Sequence, residues 1–60
     1  MQKWYRVGGD YGPQGWQYIE FHVLCASWGR AREIFCKRVE RDYPIEWQRM
    51  GLGNVEVWEC

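Results

Sequence analysis

The stretch SWGRAREIFCKRVERD, residues 27–42, decides the fold, because it is the one segment with sustained helical periodicity. Ser27 suits the N-cap position, where its hydroxyl can accept a free backbone N–H, and Pro44 cannot continue a helix. We therefore expect one amphipathic helix with an apolar stripe that the rest of the chain covers. The stripe consists of residues that recur every three or four positions: Trp28, Ala31, Phe35 and Val39, with Ile34 at its edge.

Three segments around this helix are typical of β-strands. KWYRV at residues 3–7 and VEVWE at 55–59 are rich in aromatic and β-branched residues. WQYIEFHVLC at 16–25 alternates with a period of two. GGDYGPQG at residues 8–15 is rich in glycine, so we expect an extended hairpin loop there.

The second strand supplies the face that packs on the helix. The connection from strand to helix is short, so the helix must fold directly back over the sheet. In the last strand the alternation predicts Val55 and Val57 inward. The core face of the second strand consists of Ile19, Phe21, Val23 and Cys25.

The segment YPIEWQRM, residues 43–50, fits two structures. Pro44 suits the first turn of a short helix and Gly51 its end, yet Ile45 and Trp47 alternate as in a strand. We favour the short helix, followed by a turn at 51–54. The expected fold is α+β: a three-stranded antiparallel sheet in β-β-α-β order, with spatial order 2-1-3 and one helix packed on one face.

Length and composition indicate one small domain spanning residues 1–60, which is marginally stable unless something such as oligomerisation is added. Eight basic and eight acidic residues cancel, which argues against a general nucleic-acid binder and against an acidic mimic of nucleic acid. Three cysteines without a CxxC pair indicate reduced thiols and a cytoplasmic protein. No apolar run is long enough to span a membrane, so we expect no membrane association. His22 and Cys25 should point to opposite faces, so we expect no metal and no cofactor.

The outward face of the predicted sheet is unusually aromatic. Large aromatic groups facing water usually mark an interface, and Trp, Tyr and Arg are frequent binding hot spots. The other interpretation is that a second protomer, or residues 43–50, buries this face as ordinary core. The face contains Trp4 and Arg6 of the first strand, Trp16, Tyr18, Glu20 and His22 of the second, and Glu56 and Trp58 of the third.

Catalysis is not indicated. His22 is the only histidine, and no Ser or Cys lies in a recognisable nucleophile motif. A chain of 60 residues is also too small to enclose a ligand pocket of several hundred Å³. We therefore expect a protein that is not an enzyme.

The layout permits one comparison with a known group. The layout consists of a WYRV first strand, a second strand that runs into ASWxxARxxF, and a late VEVWE strand. In these features the chain resembles the small β-β-α-β proteins that phage and mobile-element genomes encode. Some small proteins of that origin, including anti-CRISPR proteins, occupy a surface of a host defence complex. The resemblance implies a phage-encoded inhibitor, and the neutral charge implies direct contact with a host protein in the host cytoplasm.

We therefore expect a protein-binding module, with a symmetric homodimer as a further use of part of the aromatic face. The alternative is a nucleic-acid-binding protein, in which bases stack on the aromatic face and basic helix residues hold phosphates. The predicted binding residues are Trp4, Arg6, Trp16, Tyr18, His22 and Trp58 on the sheet, and Arg30, Lys37 and Arg41 on the helix.

Overall fold

The protein is an α+β fold with three strands and two helices. The structure is a computed structural model, which describes residues 1–11, 17–50 and 55–60. The predicted turn at 51–54 and the predicted site residue Trp16 lie outside these ranges. The elements in chain order are β1 (Lys3–Asp10), β2 (Tyr18–Cys25), α1 (Trp28–Asp42), α2 (Pro44–Met50) and β3 (Val55–Glu59).

The sheet is antiparallel with the order β2-β1-β3, which confirms the predicted topology. β1 is the central strand and pairs with β2 along its whole length, from Lys3 opposite Cys25 to Asp10 opposite Tyr18. β3 lies on the other side of β1, with Val57 opposite Val7. β2 and β3 lie on opposite sides of β1, so the chain needs a long connection between them. α1 and α2 form this connection.

β1 continues beyond the predicted end at residue 7. Gly8 and Gly9 were assigned to a loop because glycine favours turns, but both are strand residues that pair with β2 and with β3. Gly8 lies on the outward face, where a Cβ atom would overlap the hydroxyl end of Tyr18. The absence of a side chain at Gly8 therefore provides space for the Tyr18 ring on the outward face of the sheet. β2 begins at Tyr18, so Gln17, which the sequence places in this strand, lies just before it.

α1 begins and ends where the sequence predicts. Ser27 is the N-cap, and its hydroxyl accepts the Arg30 backbone N–H at 3.2 Å. At the other end the Tyr43 amide donates to the Val39 carbonyl at 2.7 Å. Ala31, Phe35 and Val39 of the predicted stripe are fully buried.

Trp28 contradicts the expectation that the rest of the chain covers the whole stripe. Its side chain is 64% exposed. It is the first residue of α1 and lies beyond the sheet at the β3 side, where it lines a groove with Val55 and Val57. Helical spacing placed Trp28 on the correct stripe, but spacing alone does not say how far along the helix the sheet extends.

Residues 44–50 form the short helix that we favoured over a strand. Met50 is buried, and Trp47 packs against the core. β3 has the predicted bounds and orientation, since Val55 is buried while Glu56 and Trp58 are exposed.

One hydrophobic core lies between the helices and the inward face of the sheet. α1 contacts all three strands, and α2 packs mainly against α1. The ring of Phe35 lies 5.6 Å from that of Phe21, in the tilted arrangement that aromatic pairs favour. The buried residues are Tyr5, Val7, Val23, Cys25, Ala31, Phe35, Val39, Met50 and Val55.

Replacing Phe35 with alanine should remove most of the stability of the fold. Deleting a fully buried Phe costs about 3–5 kcal/mol, a large share of what so small a domain has. Ile45→Ala is the matched control, because Ile45 is an exposed apolar residue of α2 and its loss should cost within about 0.5 kcal/mol. Urea unfolding followed by circular dichroism measures both. Equal losses in the two variants would contradict this location of the core.

Candidate functional site

The candidate site is the outward face of the sheet, which carries the side chains of β1, β2 and β3 that point away from α1. Strand register arranges these side chains in rows across the sheet. From one end to the other the rows are Leu24 and Trp4; His22, Arg6 and Trp58; Glu20, Gly8 and Glu56; and Tyr18 and Asp10.

The first row forms the apolar end of the outward face. Trp4 and Leu24 lie directly opposite each other on neighbouring strands and are 53% and 45% exposed. Leu24 was absent from the predicted binding residues, although the alternation of β2 placed it on this face. Its pairing with Trp4 identifies it as part of the same patch, and that pairing depends on register, which the sequence alone does not supply.

Arg6 occupies the centre of the outward face and orders its neighbours. Its guanidinium lies over the Trp58 ring, 4.5 Å from the ring centroid, and its Nε is 3.6 Å from a carboxylate oxygen of Glu20. At an exposed position the contact with the Trp58 ring is worth about 0.5–1 kcal/mol and the ion pair about 0–1 kcal/mol. Together they link side chains of all three strands and favour the orientation of the Trp58 ring in which Arg6 lies over it.

The opposite end of the outward face is acidic and is covered in part by Tyr18. Its ring lies over Gly8, and its hydroxyl donates to Glu20 at 3.2 Å. Burial, and second the hydrogen bond to the Glu20 carboxylate, raise the pKa of the Tyr18 hydroxyl. Glu56 and Asp10 add negative charge to this end. The face therefore changes from apolar to acidic along the strands.

The structure separates the predicted site residues into two groups. Trp4, Arg6, Tyr18, His22 and Trp58 all lie on the outward face and are exposed. The predicted helix residues lie on α1, which packs on the other side of the sheet.

The cations of α1 gather around a shallow groove but are engaged with neighbouring carboxylates. Arg30 pairs with Glu33, and Lys37 lies 3.7 Å from the same carboxylate. Arg41 donates to Asp42 at 2.8 Å, and this hydrogen bond lowers the pKa of the Asp42 carboxyl. The groove has a volume of about 380 Å³ and is lined by Arg30, Ile34, Lys37, Arg38 and Arg41.

The structure confirms that His22 and Cys25 point to opposite faces of the sheet. His22 is exposed on the outward face, while Cys25 is buried on the inward face and donates to the Ser27 carbonyl at 3.2 Å. Among residues 1–11, 17–50 and 55–60, no group of three His, Cys, Asp or Glu side chains is close enough to hold a metal ion. Burial raises the pKa of the Cys36 thiol.

Comparison of the chain with protein-family models, with curated proteins and with solved structures finds no match. The described helices include none with the length and hydropathy needed to cross a membrane.

Replacing Gly8 with alanine should displace the Tyr18 ring from the outward face. The added methyl group would overlap the Tyr18 hydroxyl, and the carbonyl of Ile19 at 3.1 Å leaves little space on the other side. The pKa of Tyr18 should then fall towards its ordinary value, because the ring loses both its cover and its bond to Glu20. A ¹³C NMR titration of labelled tyrosine, assigned with Tyr18→Phe, measures this shift.

Gly29→Ala is the matched control for this experiment. A Cβ at Gly29 meets nothing within 4 Å, and alanine in a helix is favoured over glycine by about 0.5–1 kcal/mol. This variant should be more stable than the wild type and leave the pKa of Tyr18 unchanged. An unchanged pKa in Gly8→Ala as well would show that the ring does not lie over Gly8.

Proposed function

We propose that the protein is a non-enzymatic binding module that recognises another protein through the outward face of its sheet. The observation that carries this proposal is the exposure of Trp4, Leu24 and Trp58 on one face of the sheet, where Arg6 lies over Trp58 and neither helix covers the three side chains. Exposed apolar patches with a polar rim usually mark contact surfaces. Both helices pack on the opposite side, so residues 43–50 leave this face open.

The centre of the outward face is suited to binding because it is already ordered. Arg6 holds the Trp58 ring by stacking and is itself held by Glu20. A partner that covers Trp58 therefore loses little side-chain entropy in fixing it, which is the advantage of a preorganised site. Burial of Trp and Arg at the centre of an interface typically supplies most of the binding energy.

The charge distribution defines the chemistry of the partner. An apolar protrusion would fit over Trp4, Leu24 and Trp58, while basic groups would face Glu20 and Glu56 at the acidic end. Such a mixed surface is typical of proteins and unlike the uniform negative charge of a nucleic acid.

We further propose that the partner belongs to a host defence complex and that the protein is a phage-encoded, anti-CRISPR-type inhibitor acting in the host cytoplasm. The support is the resemblance in size and strand order to small phage proteins, together with a scaffold that offers a contact surface. The net charge is zero, so the mode of action would be occlusion of a protein surface.

Affinity capture with matched variants tests the proposal. The wild type should enrich a specific partner from a bacterial lysate, and Trp58→Ala should reduce that enrichment at least about tenfold, as loss of a hot spot of about 1.4 kcal/mol requires. Ile45→Ala is the control, because it removes an exposed apolar side chain from α2, away from the outward face. Equal recovery by all three proteins would exclude Trp58 from the interface.

The inhibitor proposal has its own test. Cells with an active CRISPR system should lose protection against a targeted phage when they express the wild type, and should keep it when they express Trp58→Ala at the same level. Loss of protection in neither case, across representative CRISPR types, would contradict the anti-CRISPR assignment while leaving protein binding in place.

Nucleic-acid stacking is the second candidate, since exposed aromatic rings on a sheet can stack bases at about 1–3 kcal/mol each. The position of the charges opposes it: Arg30, Lys37 and Arg41 lie on α1, and the outward face carries Glu20 and Glu56. We predict no quenching of tryptophan fluorescence by single-stranded DNA or RNA at low salt up to about 100 µM, where non-specific binding is normally seen. Saturable quenching that Trp58→Ala abolishes would favour the stacking platform instead.

A further inference from the structure

One of the two backbone edges of β3 pairs with no described strand, and the hydrogen bonds of the sheet identify the residues on that edge. The Cys60 amide donates to the Trp4 carbonyl at 3.0 Å, which continues the register between β1 and β3. Backbone groups of a strand alternate between its edges, so every second residue from Cys60 bonds to β1. The amides and carbonyls of Val55, Val57 and Glu59 therefore point away from β1, and no described strand pairs with them.

A groove lies beside this free edge, on the same side of the sheet as the core. It has a volume of about 420 Å³ and runs between β3 and the start of α1. Trp28 contributes to its wall and belongs to the stripe that is buried further along α1. The apolar surface of the core thus continues out of the molecule at this edge. The groove is lined by Tyr5, Trp28, Arg32, Val55, Val57 and Glu59.

We propose that two copies of the chain pair antiparallel through their β3 edges, which joins the two sheets into one continuous sheet. Unpaired amides and carbonyls on a strand edge are matched along their length by another extended backbone. Pairing a strand with its own copy is an isologous contact that closes at two chains. The hydrogen bonds of this contact come from the edge of β3, so the pairing does not depend on the proposed function, although Glu56 and Trp58 of the outward face lie along the seam.

The sequence of β3 favours one register of this pairing. Only Val55, Val57 and Glu59 have backbone amides and carbonyls on the free edge. In any allowed register, these residues of one copy must therefore lie opposite the same set in the other copy. A two-fold axis at Val57 aligns the whole strand and sets each Glu56 opposite Trp58 of the second copy. A shift in one direction sets Glu56 opposite Glu56 of the second copy, which is unfavourable. A shift in either direction also shortens the length over which the two β3 strands pair.

Charge complementarity supports the register centred on Val57. The Arg6 guanidinium already lies over Trp58, and so leans from β1 towards the seam between the copies. Glu56 of the second copy would lie directly beside that Trp58, so its carboxylate would lie near the Arg6 guanidinium. The two-fold axis repeats this arrangement, so each copy supplies one cation and one carboxylate to the seam.

The same pairing also fills the groove. A two-fold axis perpendicular to the sheet keeps both α1 helices on the same side. Val55 of the second copy would face Glu59, and would therefore lie beside Trp28, which lines the groove together with Glu59. Trp28, which is exposed in the single chain, would become covered at the seam.

Variants at Glu59 test the proposal at the level of the backbone. Glu59→Pro removes an amide that points to the free edge and takes no part in the bonds to β1, so the monomer tolerates it as edge strands tolerate proline. Glu59→Ala is the matched control, since it removes the ion pair with Lys3 at 3.1 Å but keeps the amide. Trp28→Glu is a second disrupting variant, which places a carboxylate in the groove at an exposed position and in the first turn of α1, where acidic groups are favourable.

Sedimentation velocity over a concentration series, in reducing buffer because Cys60 is exposed, gives the readout. The wild type and Glu59→Ala should approach the mass of two chains, and Glu59→Pro and Trp28→Glu should each raise the dissociation constant at least about tenfold. Amide exchange of Val57 and Glu59 should slow as the wild-type concentration rises. A single-chain mass at about 500 µM, where a dissociation constant of about 1 mM would still show, would overturn the proposal. A dimer that both disrupting variants retain would also overturn it.

Discussion

The packing of Phe35 against the inward face of the sheet is the contact on which the rest of the structure depends. Phe35 is fully buried, and its ring meets Phe21 of β2 while its helix crosses all three strands. α2 adds Met50 to the same core. Because both helices pack on one side, the described chain has no further element with which to cover the other side of the sheet. An uncovered aromatic face is therefore a direct consequence of how the core is built.

The uncovered face and the free edge of β3 have the same cause, which is that the described chain has too few elements to cover every face and edge of the sheet. A three-stranded sheet has two edges and two faces, and two helices cover one face only. Arg6 organises the centre of the outward face through Trp58 and Glu20, whereas Trp28 marks the place where the core reaches the β3 edge. The two proposed contacts, with a foreign protein and with a second copy, are therefore centred on different parts of the sheet.

The sequence predicted those features that depend on periodicity and on caps. Ser27 and the stripe through Phe35 located α1, and strict alternation placed β2 correctly on the sheet. The features that depend on tertiary placement were missed. The glycine-rich composition of residues 8–15 predicts a loop at Gly8, but Gly8 is a strand residue that accommodates the ring of Tyr18. Trp28 follows the helical spacing but lies beyond the sheet, and helical spacing contains no information about where a neighbouring strand ends.

The outward face of the sheet should be open to solvent in the single chain, because both helices pack on the other side. Paramagnetic relaxation of the tryptophan indole N–H signals by a neutral gadolinium chelate, in dilute reducing solution, measures this most directly. Trp4 and Trp58 should relax strongly, whereas Trp47, which packs against the core, should be protected. Protection of Trp4 and Trp58 as strong as that of Trp47 would show that the face is covered within the chain and would contradict the account.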